Sequence, residues 1–205
     1  ERCELKDTVR SMELDLTNPM EYHFRDLPRH VDDPFYDRDY NLCIVCVRCV
    51  RVCEEVRFDT ALTLTSRSGT ALVGTSHGTS LLESGCEFCG ACVDVCPTGA
   101  LVEREYKWDK AEKTVTSICS NCPVGCQVIT EVNKRNKVIR FRGDLAGEAN
   151  NGQLCFKGKF ASDYPNKKGR FRYPLIKIED EMQRTTWELA LESAAANLKK
   201  FNPDQ

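Results

Sequence analysis

Apolar residues follow short, changing rhythms along this chain. Residues 1–40 are polar, rich in Asp and Arg, and interrupted by Pro19, Pro28 and Pro34, so an extended linker that wraps a neighbouring surface is expected there. From Phe58 to Ser76 a hairpin is expected: apolar residues and Thr alternate through Ala61-Leu62-Thr63-Leu64-Thr65 and resume at Ala71-Leu72-Val73 after Ser68-Gly69. Between residues 111 and 160, Thr114-Val115-Thr116 leads into two β-forming runs, Val128 to Val132 and Val138 to Phe141. These flank the polar turn Asn133 to Lys137. From Thr185 the period lengthens to that of a helix. Thr185-x-x-Glu188 can form a capping box, and Trp187, Leu189, Ala190, Leu191, Ala194, Ala195 and Leu198 supply a broad apolar side. Nothing else near that helix offers it a large packing surface, so the chain reads as the leading part of a longer protein.

The cysteines change this picture most. Twelve of the thirteen fall into three sets of four. Two are tandem runs, Cys43-x2-Cys46-x2-Cys49-x3-Cys53 and Cys86-x2-Cys89-x2-Cys92-x3-Cys96-Pro97, which make residues 41–105 an internal repeat. Cysteines this close in sequence converge on a point, which suits a metal centre better than disulfides between distant segments. The spacing is that of bacterial ferredoxins, in which the fourth cysteine of each run crosses to the other 4Fe-4S cluster. Cluster one is therefore expected on Cys43, Cys46, Cys49 and Cys96, and cluster two on Cys86, Cys89, Cys92 and Cys53. Zinc is the competing metal for thiolates, but zinc ribbons use two separated Cys-x2-Cys knuckles. One departure stands out: Gly90 follows the second cysteine of its run, whereas the first run has Val47 there.

The third set is Cys119-x2-Cys122-x3-Cys126 with Cys155 after 28 further residues. Three local ligands and one distant one fit a cluster or a zinc site, and the neighbouring pair favours a third cluster. Cys3 stands alone and reads by itself as an inert thiol. The fold class expected is α+β, in four parts: a linker over 1–40, a two-cluster ferredoxin-like domain over 41–108, a small β-rich 4Fe-4S domain over 109–165, and a segment over 166–205 that contains the helix.

Composition removes several alternatives. The 205 residues carry 29 Lys and Arg against 31 Asp and Glu, a balance that points to neither nucleic acid nor an anionic membrane surface. No apolar stretch approaches the roughly 20 residues that cross a bilayer, so a soluble, cytoplasmic chain is expected. No Gly-rich dinucleotide fingerprint or P-loop is present. His77 lies in a Ser/Gly/Thr stretch and reads as a loop residue. Arg48, Arg51, Arg140 and Arg142 read as solvated charge that could also offset anionic clusters or dock a partner.

The order of motifs resembles a known family. Cys3-Glu4-Leu5, Arg38-Asp39-Tyr40-Asn41 before the first run, Cys96-Pro97-Thr98-Gly99-Ala100-Leu101, Cys119 to Cys126, and Leu154-Cys155-Phe156-Lys157-Gly158 resemble the N-terminal part of cytoplasmic formate dehydrogenase catalytic subunits. The large iron-sulfur subunit of respiratory complex I is similar over the same stretch. Both are identified as members of the molybdopterin oxidoreductase family.

The resemblance implies that Cys3 is the last ligand of an upstream cluster held by one His and three Cys, with His23 and His30 too late in the chain to match that His. It implies that Lys157 stands between the third cluster and a pterin, as a relay. It also implies a Mo or W bis-pterin, and a fourth cluster, in the full-length protein. The partners it implies are flavin- or iron-sulfur-bearing subunits, linked to NAD(P)H or ferredoxin, in a hetero-oligomeric complex. Arg172-Tyr173-Pro174-Leu175-Ile176-Lys177 and the Trp187 helix resemble the opening of the pterin-binding domains. No residue of this chain matches the family's catalytic residues.

The function expected is electron relay through three 4Fe-4S clusters in an oxidoreductase. Two readings from other classes stand beside it: a free-standing iron-sulfur carrier or adaptor subunit, and a zinc-stabilised interaction module.

Overall fold

The computed structural model describes residues 3–13, 25–66, 69–75 and 78–201. Short helices and small antiparallel sheets make it an α+β structure. It divides into two compact units, Glu1–Pro165 and Asn166–Gln205.

The first unit opens with helix α1 (Glu4–Ser11), inside the segment expected to be extended. Glu4 and Asp7 in its first turn and Arg10 in its last complement the helix dipole, a local pattern that overall polarity conceals. Strand β1 (Tyr36–Arg38) leads to the first cysteine run, which turns into α2 (Arg48–Arg51) and a π-helical turn at Val52–Val56. Strands β2 (Thr63–Leu64) and β3 (Val73–Gly74) form a small hairpin, with Thr63 opposite Gly74. Ser68 and Ser76, at its turn and end, lie outside the described residues, as do His23 and His77. Helix α3 (Ala91–Val95) repeats α2 in the second run, and β4 (Leu101–Glu103) returns antiparallel to β1, Tyr36 facing Glu103 and Arg38 facing Leu101. The core between these elements contains Tyr36, Tyr40, Val50, Leu62, Val73, Leu81, Phe88 and Leu101, with Cys49, Cys53 and Cys92 embedded among them.

Strands β5 (Lys113–Ile118), β6 (Gln127–Val132) and β7 (Val138–Gly143) form an antiparallel meander with β6 in the centre. Asn133 closes the β6–β7 turn because its side-chain oxygen accepts from the amides of Arg135 and Lys137 at 3.0 Å each. Val128, Phe141 and Leu154 form a smaller core, and α4 (Phe156–Phe160), which begins at Cys155, packs on β7.

In the second unit, β8 (Leu175–Ile178) and β9 (Glu181–Arg184) pair as a hairpin. Its two-residue turn, Glu179-Asp180, has both φ angles positive, at 47° and 70°. Helix α5 (Trp187–Leu198) follows. Its cap is Thr186, which accepts from the amide of Leu189, one residue beyond the expected Thr185. The Thr185 amide is already used by the carbonyl of Pro174.

Candidate metal centres

The two cysteine runs curl in the same way. The Val45 amide donates to Cys43 Sγ, and the Phe88 amide donates to Cys86 Sγ, both at 3.4 Å. Val45 and Val47 flank Cys46 with φ of 55° and 64°, as Phe88 and Gly90 flank Cys89 with φ of 53° and 75°. These left-handed residues turn the amides and thiols of each run inward, which is the arrangement that cradles an anionic group.

Cys43, Cys46, Cys49 and Cys96 line one cavity, together with Tyr40, Ile44, Val47, Val73, Pro97 and Leu101. Cys53, Cys86, Cys89 and Cys92 line a second cavity with Tyr36, Arg57, Asp59 and Leu62. The last cysteine of each run thus sits in the other run's cavity. Cys119, Cys122, Cys126 and Cys155 form the third group. Cys119 and Cys126 are held together by the Cys119 amide donating to the Cys126 carbonyl at 2.8 Å, and Asn121 Nδ2 donates to Cys119 Sγ at 3.5 Å and to the Lys157 carbonyl at 3.1 Å. Cys122 and Cys155 are exposed, and the Cys126 thiol is pushed up by burial and by its three companion thiols.

The donor set fits an iron-sulfur cluster. In the first two groups the four thiols line an enclosed space together with apolar side chains, the setting of a multi-iron core. Burial, followed by the neighbouring thiols, pushes Cys49 up to about 12, and burial raises Cys86, Cys89 and Cys92 as well. A site that disfavours thiolates this strongly is suited to a cationic core that replaces the protons. Tyr36, almost fully buried, accepts from Cys92 Sγ at 3.8 Å, and its own ionisation is driven far up by burial and by Cys92. It remains a neutral hydrogen-bonding wall.

Cys3 is half-buried at the start of α1. The Leu5 amide donates to the Pro97 carbonyl at 3.4 Å and Glu4 pairs with Arg48 at 3.0 Å, which set this end of the helix beside the first cavity. Lys157 is exposed, with Nζ 5.8 Å from the centre of the Phe156 ring. His30 pairs with Arg38 in a β-bridge and lies edge-on to Tyr40. Arg140, expected to be solvated, is instead held in ion pairs with Glu103 and Glu131.

Sequence reasoning missed Lys159, which is 1% exposed. Burial alone would push its ammonium down, but Glu103 and Asp94 more than offset this and hold it above the ordinary lysine range. Nothing in Lys157-Gly158-Lys159 distinguishes the two lysines; only the helical phase set by Cys155 does.

Comparison with known proteins matches two successive stretches of the chain. Residues 33–102 match the ferredoxin-like domain of NADH-quinone oxidoreductase subunit 3, and residues 112–167 match the molybdopterin oxidoreductase Fe4S4 domain. An NADH-quinone oxidoreductase subunit of Rhizobium meliloti is 35% identical over 200 residues, covering 92% of this chain and 22% of that protein. The NADPH-Fe(3+) oxidoreductase subunit alpha of Geobacter sulfurreducens is 35% identical over 174 residues, 83% of this chain and 19% of the relative. NADH-quinone oxidoreductase subunit 3 of Thermus thermophilus is 33% identical over 223 residues, 99% of this chain and 27% of the relative. The chain therefore spans about a fifth to a quarter of the length of these curated relatives. The chain thus carries, in order, a ferredoxin-like domain of the NADH-quinone oxidoreductase subunit 3 type and a molybdopterin oxidoreductase Fe4S4 domain, the iron-sulfur portion that it shares with these relatives.

Proposed function

We propose that this chain is the electron-relay segment of a formate-dehydrogenase-like or NADH-dehydrogenase-like oxidoreductase. In this reading it is a two-cluster ferredoxin-like domain over 41–108 followed by a β-rich cluster domain over 109–165. The exchange of Cys53 and Cys96 between the two cavities supports it most strongly. Cluster one is held by Cys43, Cys46, Cys49 and Cys96, cluster two by Cys86, Cys89, Cys92 and Cys53, and cluster three by Cys119, Cys122, Cys126 and Cys155.

When bound, 4Fe-4S clusters supply one-electron oxidation and reduction. The chain's residues hold them, exclude water and set their surroundings. Tyr40, Val47, Val73 and Leu101 wall the first cavity with apolar surface, which disfavours additional negative charge and so influences potential. The Val45 and Phe88 amides donate to cluster-binding sulfurs and act in the opposite sense. No proton has to move and no nucleophile is required.

The wider setting belongs to the same proposal. Lys157, beyond Cys155, faces a Mo or W bis-pterin carried elsewhere in the full-length protein, and Cys3 completes a cluster whose other ligands precede it. Electrons pass to or from a flavin- or iron-sulfur-bearing partner subunit, in the cytoplasm. Among the described residues no helix is long and apolar enough to cross a membrane. Anaerobic quantitation of iron and sulfide with EPR of the reduced protein tests the reading. About twelve iron and twelve sulfide attributable to this chain are expected; zinc in place of iron, or fewer than three 4Fe-4S signals in fully loaded protein, contradicts it.

A further inference from the structure

Lys159 Nζ lies 2.8 Å from Asp94 Oδ1, forms a close ion pair with Glu103, and donates to the Phe141 carbonyl at 3.1 Å. Asp94 belongs to α3, between Cys92 and Cys96; Glu103 ends β4; Phe141 belongs to β7; Lys159 itself lies four residues after Cys155. One ammonium thus joins the helix between two ferredoxin-type thiols to the helix that begins at the third group's last thiol. Glu103 continues to Arg140, Arg140 to Glu131 at 2.6 Å, and Arg142 to Glu131 at 3.3 Å. Three carboxylates meet three cations, so the buried network carries no excess charge.

The same seam is closed by apolar contact. A Cβ on Gly90 would stand 2.6 Å from Lys159 Cγ and 3.0 Å from Phe160 Cζ, so the loop between Cys89 and Cys92 rests directly on α4. Phe160 stacks on Phe35 at 4.9 Å and 8° between planes, and Phe35 also meets Phe88 at 5.7 Å and Phe156 at 6.1 Å. Phe88 lies between Cys86 and Cys89, and Phe156 follows Cys155. Packed rings therefore run from the second cavity to the third thiol group, with Lys159 beside them.

A buried ammonium is a poor choice if stability is all that is needed, because well-packed apolar residues stabilise such a seam equally well or better. Its advantage is geometric. Three acceptors from three elements define one position for α4 against α3 and β4, whereas an apolar seam tolerates sliding.

We infer that Lys159 is a positioning residue for electron transfer, the clamp that fixes the gap between the group held by Cys53, Cys86, Cys89 and Cys92 and the group held by Cys119, Cys122, Cys126 and Cys155. This rests on the cluster reading proposed above. The test uses Lys159→Met and the milder Asp94→Asn in the intact protein. Asp94 is partly solvated and Lys159 keeps Glu103 as its partner, so losing the Asp94 charge loosens the clamp at one of its three acceptors and leaves one cation in excess. Both variants are expected to retain three clusters, while the spin–spin interaction between the second and third reduced clusters, read by EPR power saturation, is lost in Lys159→Met and weakened in Asp94→Asn. Unchanged interaction in both overturns the inference, and if Lys159→Met fails to load iron, unchanged interaction in Asp94→Asn overturns it alone. Amide hydrogen exchange on the metal-free chain gives an independent readout: α3 and α4 are expected to lose protection together in Asp94→Asn, and unaltered protection overturns the clamp. Wild-type protein without three clusters defeats the proposed function and leaves the exchange result standing on its own.

Discussion

Gly90 and Val47 occupy equivalent places in the two runs, and exchanging their character gives opposed outcomes. Gly90→Ala places an L residue at φ 75°, which costs roughly 1–2 kcal/mol. It also drives a Cβ to within 2.6 Å of Lys159 Cγ. That stem is pinned at its far end by Asp94 and the Phe141 carbonyl, so the contact is relieved only by moving α4, at about 1–3 kcal/mol for overpacking. The sum is about 2–5 kcal/mol. Val47→Gly relieves roughly 1–2 kcal/mol at φ 64°. Against this stand about 0.5–1 kcal/mol of glycine backbone entropy and roughly 1 kcal/mol of packing lost by a half-buried side chain. The result is within about 1 kcal/mol of neutral. Metal-bound proteins lose structure irreversibly, so the assay is the half-life of cluster absorbance at fixed denaturant under anaerobic conditions. Gly90→Ala is expected to shorten it at least tenfold, the equivalent of about 1.4 kcal/mol, and Val47→Gly by less than about fivefold. Equal shortening in the two variants would refute the assignment of Gly90 to the seam.

In the metal-free chain the buried thiols favour the proton, so folded protein binds more protons than unfolded protein between the ordinary thiol value, about 8.5, and the raised values, which reach about 12 at Cys49. Their contribution is complete below about pH 8.5 and is lost as pH rises through that window. Alkaline unfolding followed by circular dichroism should therefore begin near that pH, and a stability that rises there contradicts the shift. Burial opposes the charge of Asp37, but hydrogen bonds from Lys107 and Arg104 outweigh it and hold the carboxyl below the usual range. Its contribution is present above about pH 4 and lost as pH falls further. Asp37→Asn should flatten the acid limb of the same profile, and an identical limb in the variant excludes Asp37 as its source. Thr186→Ala removes the α5 cap and should lower helix stability by about 1 kcal/mol, read as increased amide exchange over the first turn; unchanged exchange there contradicts the cap.

The grouping of the cysteines was legible because ferredoxin spacing specifies topology: once the fourth cysteine of each run crosses over, α2 and α3 have to lie side by side. The meander was legible from the β-forming runs Val128 to Val132 and Val138 to Phe141 and the local Asn133 turn between them; burial alternates along β7, whereas along β6 the alternation breaks where the register shifts between Glu131 and Val132. The β8–β9 hairpin was hidden because its turn is Glu179-Asp180, whose positive φ angles are imposed by strand pairing rather than announced by glycine. Helix α1 was hidden in a polar segment whose order, acidic first and basic last, carries the signal that composition averages away. Lys159 could not be read at all. Its partners are 56 and 65 residues away at Glu103 and Asp94, and only tertiary structure brings three carboxylates to three cations.

The crossing of Cys53 and Cys96 is the central claim, and Cys96→Ser tests it most directly. In the reduced, anaerobically purified protein, the EPR signal of the cluster on Cys43, Cys46 and Cys49 is expected to be lost or converted to a three-iron form, with the cluster on Cys86, Cys89 and Cys92 intact. Assignment follows from a parallel Cys46→Ser variant that alters the same signal. If Cys96→Ser instead alters the signal that Cys89→Ser alters, the ligands do not interleave and the account is wrong.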